Sequence, residues 1–238
     1  MSAIRTRGLV IAIDGPSGAG KSTLTRLLAQ RLGYVHIDTG AMYRTLALAV
    51  SRSGVSPDDE AAVAAVCHKV DIGFQRNDDC CRVMANGEDV SEAIRTPEIS
   101  MLTSLISAQR AVREVLLAQQ RDLGRDGGVI FEGRDIGTVV FPDAEVKFFL
   151  SASAEERGRR RFLELREKGC SVTLEETIAD VAKRDEQDAD REIAPLRKAD
   201  DALEIDSTGV SVEDVLDQMG QLFRERAEHN KAKIKVKL

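Results

Sequence analysis

The chain of 238 residues contains 34 basic and 40 acidic side chains, so its formal net charge is −6 at pH 7 and its pI is near 5.3. This acidic balance argues against a general nucleic-acid binder or a membrane-surface binder, and any anion site must be built from local arginines. The length suits one α/β domain with insertions better than two separate domains.

The N-terminal residues, the apolar runs and the cysteines indicate the compartment in which the protein is expected. An apolar run begins too close to the first residue for a signal peptide, and no apolar run approaches the ~20 residues that cross a bilayer. Cysteines at 67, 80, 81 and 170 form neither a C-x-x-C pair nor a metal-ligand pattern with histidine. The sequence therefore predicts reduced structural thiols in a cytoplasmic protein.

The first predicted element is a buried strand over residues 9–13, which is followed by Asp14 and then by GPSGAGKS at 15–22. These eight residues match G-x-x-x-x-G-K-[ST], the phosphate-binding P-loop. Glycines at 15, 18 and 20 let successive N–H groups point into one anion-sized concavity. Leucines at helical spacing over 23–32 predict a helix whose positive N-terminus faces the same place. The stretch predicts a nucleoside triphosphate site.

Within this loop we expect Lys21 to reach the β- and γ-phosphates and the Ser22 hydroxyl to ligate Mg²⁺. The predicted ATP-binding residues of the loop are Gly15, Pro16, Ser17, Gly18, Ala19, Gly20, Lys21, Ser22 and Thr23.

Further strands are predicted over residues 33–38, 128–131, 145–150 and 202–206, and helical segments separate them. Helices are expected at 41–53 and 58–66, and the charged region 154–201 is largely helical in pattern. Five parallel strands alternating with helices predict an α/β fold of three layers, the P-loop NTPase fold, with ligands at the carboxyl ends of the strands.

The middle of the chain interrupts this pattern. Extended runs at 70–75 and 82–84, followed by the tight-turn pair Asn86-Gly87, predict a small antiparallel patch. After Pro97, apolar residues at three- and four-residue intervals predict one long helix over 98–123. At the other end, the lysine-rich residues 227–238 are expected to form a disordered basic tail.

Several arginines lie where phosphoryl transfer would need positive charge. Arg44 follows the second strand and Arg134 follows the third. After the fourth strand come Arg157, Arg159, Arg160 and Arg161, for which a solvated helix face is the alternative interpretation.

Arg184, Asp188 and Arg191 fall at i, i+4 and i+7, which places them on one face of a predicted helix. Two interpretations stay open. One is a ladder of ion pairs along the helix. The other is a mobile lid that brings two arginines over the phosphates while Asp188 accepts from a sugar hydroxyl.

Asp38 and Glu132 lie at the ends of predicted strands. Each carboxylate is a candidate to hold Mg²⁺ through water or to activate an acceptor, and each is equally a candidate helix cap or strand-end ion pair. The abundance of arginine favours an acceptor that is itself a phosphate monoester, because two anions that react must be kept from repelling each other.

Taken together, the motifs resemble those of the bacterial cytidylate kinase family. The matching stretches are GPSGAGKS, HIDTGAMYR at 36–44, IRTPE at 94–98, EGRDIGTVVFPDA at 132–144, RGRRRFLEL at 157–165, RDEQDADREIAPL at 184–196 and DST at 206–208. The resemblance covers about residues 8–226. It implies a monomeric nucleoside monophosphate kinase of pyrimidine metabolism that transfers the ATP γ-phosphoryl group to CMP or dCMP with Mg²⁺. UMP would be a poorer acceptor, and neither nucleic acid nor membrane would be a partner.

The resemblance also implies a division of the chain and a set of site residues. The core would comprise about 8–62, 98–156 and 192–226, with a monophosphate-binding insert at about 63–97 and a lid at about 157–191. The implied catalytic residues are Lys21, Arg134, Arg160 and Arg191, and Arg157 joins the ATP-binding set. The implied substrate-binding residues are Thr39, Arg44, Ser104, Arg113, Arg134, Asp135, Arg184, Asp188 and Arg191. Thr39 stands where many relatives have serine, and Glu132 where some have aspartate.

Cytosine presents an amino donor beside the N3 and O2 acceptors, whereas uracil has a carbonyl in place of the amino group. Asp135 and Ser104 as acceptors, with Arg113 as donor, would therefore select cytosine. In the same scheme Arg44, Arg134 and Arg191 bind the monophosphate, and Arg184 and Asp188 orient the ribose.

Other functions fit less well. A P-loop kinase for UMP or for a small-metabolite alcohol remains an alternative, although the inserted β patch argues against the alcohol kinases. A GTPase switch needs an N-K-x-D motif, and the nearest match, at 230–233, lacks the aspartate. The acidic balance disfavours a nucleic-acid-dependent ATPase.

Overall fold

The computed structural model describes residues 8–76, 81–167 and 169–235. By internal contacts the chain divides into unit 1, Met1–His36 with Asp126–Leu238, and unit 2, Ile37–Arg125. The elements, in chain order, are β1 Val10–Asp14, α1 Lys21–Leu32, β2 Val35–Asp38, α2 Thr39–Ser53, α3 Glu60–Cys67, β3 Ile72–Arg76, β4 Cys81–Ala85, β5 Glu88–Asp89, α4 Pro97–Ile106, α5 Arg110–Leu123, β6 Val129–Gly133, β7 Val146–Ser151, α6 Ala154–Glu167, α7 Leu174–Ala189, β8 Leu203–Asp206 and α8 Val212–Lys235.

The main sheet has five strands in the order β2-β6-β1-β7-β8. β1 pairs in parallel with β6 on one side and with β7 on the other, and β7 pairs in parallel with β8. Every residue of β1 and β6 is buried. Because β1 lies between strands from later in the chain, its carboxyl end is the switch point at which α/β sheets bind ligands.

One face of the sheet in unit 1 is covered by α1 and α8. Ile11 and Ile13 of β1 project to this face because side chains alternate along a strand, and Leu28 of α1 and Met219 of α8 are fully buried in the same core. Burial of these side chains contributes about 1.5–3 kcal/mol each. The packing fixes the first turn of α1 against the end of β1.

Unit 2 consists of helices with a three-stranded antiparallel sheet, β3-β4-β5. Asn86 and Gly87 connect β4 to β5 with positive φ angles of 50° and 85°. Positive φ at both positions is the geometry that tight hairpins require, so the turn predicted from Asn-Gly forms. The five-stranded parallel sheet and the separate antiparallel sheet confirm the predicted fold class.

The prediction of one helix over 98–123 is wrong, because the structure has α4 and α5 with a break at 107–109. Gln109 is extended, with φ −72° and ψ 130°, and its side-chain amide donates to the Pro57 carbonyl at 2.7 Å. Nη1 of Arg113 donates to the Ser107 carbonyl at 3.2 Å. The Arg113 side chain thus occupies a backbone carbonyl at the break, and the Gln109 side chain ties the break to Pro57, whereas the apolar spacing is similar on both sides.

The predicted tail also differs from the structure, since α8 continues to Lys235. The segment is rich in Glu, Lys, Arg and Ala, which have high intrinsic helix propensity. Residues 236–238 and Cys80 lie outside the described residues. No helix in the described part of the chain is both long and apolar enough to span a bilayer.

The predicted insert at 63–97 contains β3, β4 and β5, and the predicted lid at 157–191 contains α7 and most of α6. The bounds of core, insert and lid themselves stay predictions.

Candidate active site

The P-loop turns sharply between β1 and α1. Gly15, Gly18 and Gly20 have φ angles of 149°, 78° and 88°. Gly20 is the N-cap of α1 and has no side chain to accept from the N–H groups of the first turn. A helix N-terminus with a glycine cap is the arrangement in which backbone N–H groups bind phosphate.

Lys21 is buried, and its ammonium group folds back on the loop. Nζ donates to the carbonyl of Gly15 at 2.7 Å and to that of Pro16 at 2.6 Å. Burial is the main factor that lowers the pKa of Lys21, and the nearby Arg134 guanidinium lowers it further, while Glu132 and Asp188 oppose the shift. Burial leaves this ammonium group less stabilised than it is in water, and an anionic ligand would supply the missing stabilisation.

Ser22 and Glu132 form an oxygen-rich pair beside the loop. Ser22 Oγ donates to Glu132 Oε1 at 2.8 Å, and His36 Nε2 lies 3.4 Å from the same oxygen. Glu132 is buried near the carboxyl end of β6. Hydroxyl and carboxylate oxygens are ligands that suit Mg²⁺. Among the residues described, no group of three His, Cys, Asp or Glu side chains forms a complete metal cage.

Asp188 joins two arginines. Its Oδ2 accepts from Nε of Arg134 at 2.7 Å, and its Oδ1 forms an ion pair with Nη2 of Arg191. Asp188 is only 3% exposed, whereas Arg184 is exposed on α7. Because α7 ends at Ala189, the prediction that Arg191 shares its helical face is wrong. Arg191 reaches Asp188 from the segment after the helix.

Asp14 is a site residue that the sequence analysis did not single out. Its two oxygens accept from the N–H groups of Ile136 and Gly137 at 2.8 and 2.7 Å. Burial raises the pKa of Asp14 to about 6. These bonds fix the backbone directly after Arg134 and Asp135. A carboxylate that ends a wholly apolar strand was the available signal, because Asp is almost never fully buried without a partner.

The basic cluster of α6 separates into two kinds of arginine. Arg159 and Arg161 are exposed and pair with Glu156 and Glu164, so the solvated-face interpretation is correct for them. Arg157, in contrast, is buried and donates from Nη1 to the Ser17 carbonyl of the P-loop at 3.0 Å.

Arg160, the predicted catalytic arginine of α6, is held at the end of β8. Nη2 donates to the Ser207 carbonyl at 2.7 Å, and Nη1 donates to Ser207 Oγ at 3.1 Å. Nε donates to Glu156 at 2.8 Å. Ser207 is buried, and its hydroxyl lies 3.2 Å from the Ala19 carbonyl. Arg160 is therefore connected to the P-loop through Ser207.

In unit 2, Asp38 caps α2 by accepting from the Ala41 N–H at 2.9 Å, and it accepts from Nη2 of Arg44 at the same distance. The cap interpretation of Asp38 is thus correct. Thr39 is buried at the start of α2.

Ser104 is exposed on α4, and Arg113 is buried on α5 with its guanidinium 5.6 Å from the ring centre of Tyr43. An arginine over an aromatic ring is held by cation–π attraction in addition to its hydrogen bonds. The contacts of Thr39, Arg44, Ser104 and Arg113 with a nucleotide stay predictions.

Comparison with known proteins identifies the family. The family model for cytidylate kinase matches residues 11–225. The chain belongs to the cytidylate kinase family. It is 69% identical over 226 residues to a cytidylate kinase from Geobacter sulfurreducens, which covers 95% of this chain and 97% of that protein.

More distant members of the cytidylate kinase family give the same result. A cytidylate kinase from Citrifermentans bemidjiense is 63% identical over the same share of both chains. One from Caldicellulosiruptor bescii is 51% identical over 90% of this chain and 94% of its own. Membership in this family does not favour the alternative of a P-loop kinase for UMP or for a small-metabolite alcohol.

Proposed function

We propose that this protein catalyses transfer of the ATP γ-phosphoryl group to CMP or dCMP, giving ADP and CDP or dCDP. The observation that carries the proposal is the match to the cytidylate kinase family over residues 11–225, a span that includes the P-loop and the Arg134–Asp188–Arg191 cluster.

On the donor side, the P-loop N–H groups and Lys21 hold the ATP phosphates. The Lys21 ammonium group has three N–H donors, of which two bond to loop carbonyls in the structure. Phosphate oxygens can accept from the third donor and compete for the other two. The lid arginines Arg157 and Arg160 act on the same loop, one through the Ser17 carbonyl and the other through Ser207.

We assign the Mg²⁺ that accompanies ATP to Ser22, with Glu132 accepting from the same hydroxyl. When bound, Mg²⁺ neutralises charge on the phosphate oxygens. This hydrogen bond directs the Ser22 O–H toward Glu132, so the lone pairs of the Ser22 oxygen remain for the ion.

On the acceptor side, Arg134 and Arg191 are proposed to bind the monophosphate of CMP, because Asp188 fixes both guanidinium groups. Arg44 contributes a third cation, and Arg184 and Asp188 orient the ribose. Specificity for cytosine is assigned to Ser104, Arg113 and Asp135. Thr39 completes the predicted acceptor contacts.

The transfer is direct and in line, with neither a covalent enzyme intermediate nor a dedicated base. A phosphate monoester already carries the nucleophilic oxygen, so the catalyst mainly has to position two anions and stabilise the charge between them. Guanidinium groups and backbone N–H groups suit that task. A monomeric state and a cytoplasmic location remain predictions.

The test is a coupled ADP-release assay with ATP, Mg²⁺ and a panel of CMP, dCMP, UMP, AMP and GMP. We expect turnover with CMP and dCMP, weaker turnover with UMP and none above background with the purines. A Lys21→Ala preparation purified in parallel controls for contaminating kinases. Activity on AMP or GMP without activity on CMP would refute the acceptor assignment.

A further inference from the structure

Four carbonyl groups of the P-loop accept hydrogen bonds from side chains. Those of Gly15 and Pro16 bond to Lys21, that of Ser17 bonds to Arg157, and that of Ala19 bonds to the Ser207 hydroxyl. In a planar trans peptide the C=O of one residue and the N–H of the next point in opposite directions. The donor that holds the Ser17 carbonyl therefore also sets the direction of the Gly18 N–H.

All three guanidinium nitrogens of Arg157 have partners within the protein. Nε donates to the Ala152 carbonyl at 2.8 Å, Nη1 donates to the Ser17 carbonyl at 3.0 Å, and Nη2 lies 2.6 Å from Oδ2 of Asp185. The side chain is 7% exposed. A guanidinium engaged through all three nitrogens is rigid, and it acts on a bound nucleotide through the loop that it supports.

Asp185 supplies negative charge to this buried guanidinium from α7. Its side chain is 23% exposed, and its other oxygen, Oδ1, is buried with no hydrogen-bond partner among the described residues. A buried carboxylate oxygen without a hydrogen-bond partner costs free energy, which the ion pair between Asp185 and Arg157 offsets. The described contact of this carboxylate is therefore with Arg157.

We propose that Asp185 is a positioning residue for ATP: it fixes Arg157 against the Ser17 carbonyl and thereby aims the Gly18 N–H at the phosphates. The inference rests on the proposed function only in taking ATP as the ligand of the loop. The proposal also gives the contact between α6 and α7 a role. Asp185 on α7 pairs with Arg157 on α6, and Arg157 in turn bonds to the P-loop.

The test compares Asp185→Asn with Asp180→Asn, which makes the same change at an exposed position of the same helix. Calorimetric titration with MgATP, without acceptor, gives Kd, and steady-state assays give KM for ATP and for CMP. We expect Asp185→Asn to raise the Kd and KM of ATP about tenfold, because the ion pair becomes a weaker bond to a neutral amide, and to leave KM for CMP unchanged. Asp180→Asn should match the wild type in every value.

A purely structural role for Asp185 would lower thermal stability and weaken both substrates alike, and that result would overturn the proposal. So would a wild-type ATP Kd in Asp185→Asn. If this variant does not fold, Arg157→Lys replaces it, because lysine keeps the charge but lacks the three-way contact, and it should show the same selective loss of ATP affinity.

The Kd of ATP is measured without any acceptor, so this inference and the proposed acceptor can fail separately. Loss of ATP affinity in a protein that is inactive on CMP would refute only the acceptor. Normal ATP affinity in an Asp185→Asn variant of an enzyme active on CMP would refute only the role of Asp185. In the double variant Arg157→Lys with Asp185→Asn, the effects should be less than additive, since both changes break one contact.

Discussion

Oδ2 of Asp188 accepts a hydrogen bond from Nε of Arg134 at 2.7 Å, which joins the last turn of α7 to the residue that follows β6. Two segments that are 54 residues apart thus share one charge pair. Because Arg191 pairs with the other oxygen of the same carboxylate, the two guanidinium groups are held by a single side chain. The distance between the two guanidinium groups therefore depends on the Asp188 carboxylate.

We expect Asp188→Asn to lower kcat/KM for CMP by about a hundredfold, because two buried charge-assisted bonds are weakened and both arginines lose their common partner. The measurement is steady-state kinetics with ATP saturating. Asp190→Asn, two residues later and exposed, is the matched control. Equal kcat/KM values for Asp188→Asn and the control would contradict the assignment of Arg134 and Arg191 to the acceptor phosphate.

Lys21→Ala should reduce turnover by about three orders of magnitude or more, because the ammonium group neutralises charge that builds up in the transition state. The variant also loses the two bonds to the carbonyls of Gly15 and Pro16. Single-turnover kinetics separate slower chemistry from weaker ATP binding, and circular dichroism checks the fold. Near-wild-type turnover in a folded variant would show that the mechanism is wrong.

The raised pKa of Asp14 predicts a pH-dependent stability difference. Its pKa is about 6 in the folded protein against 3.8 ordinarily, so the folded state binds the proton more tightly than the unfolded chain does. This group therefore costs stability increasingly as pH rises from about 4 to about 6, and the full cost of about 3 kcal/mol persists above that range.

Asp14→Asn cannot titrate. The free energy of unfolding of the wild type, minus that of Asp14→Asn, should fall by up to about 3 kcal/mol between pH 4 and pH 7 and then stay level. Urea denaturation at several pH values measures it. Asp126→Asn, which makes the same change at an exposed position, is measured alongside as the control. A flat difference for Asp14→Asn would mean that its carboxyl titrates normally.

Gly15→Ala should destabilise the fold far more than Gly209→Ala. Both glycines have positive φ, 149° and 66°, so alanine strains the backbone at either position. A Cβ at Gly15 would also collide with the carbonyl oxygen of Leu150 on β7. A Cβ at Gly209 would meet no atom of the described residues within 4 Å, its two chain neighbours aside.

We expect a loss of about 1–2 kcal/mol for Gly209→Ala and at least about 3 kcal/mol for Gly15→Ala, measured by urea denaturation. Equal losses would indicate that β7 moves away from the loop without cost.

Local features of the chain were predictable to the extent that neighbouring residues create them. The P-loop is complete within eight residues, and the hairpin turn needs only Asn86 and Gly87. Where local patterns continue across a break, they mislead. Helical periodicity runs through 107–109, but the chain breaks there, and the side chains of Gln109 and Arg113 bond at the break to carbonyls that the periodicity does not reveal.

The sequence by itself determined the class of ligand, the strand-and-helix pattern and the family, because each of these depends on residue types at short, fixed spacings along the chain. Only the tertiary structure decided that Asp14, Asp185 and Ser207 support the site. Asp14 contacts a residue 122 positions away, and Ser207 reaches one 188 positions away. Which residues become partners depends on the order of the strands in the sheet and on how the helices pack against it. A buried carboxylate or hydroxyl acquires its role from whichever donor or acceptor folding brings to it.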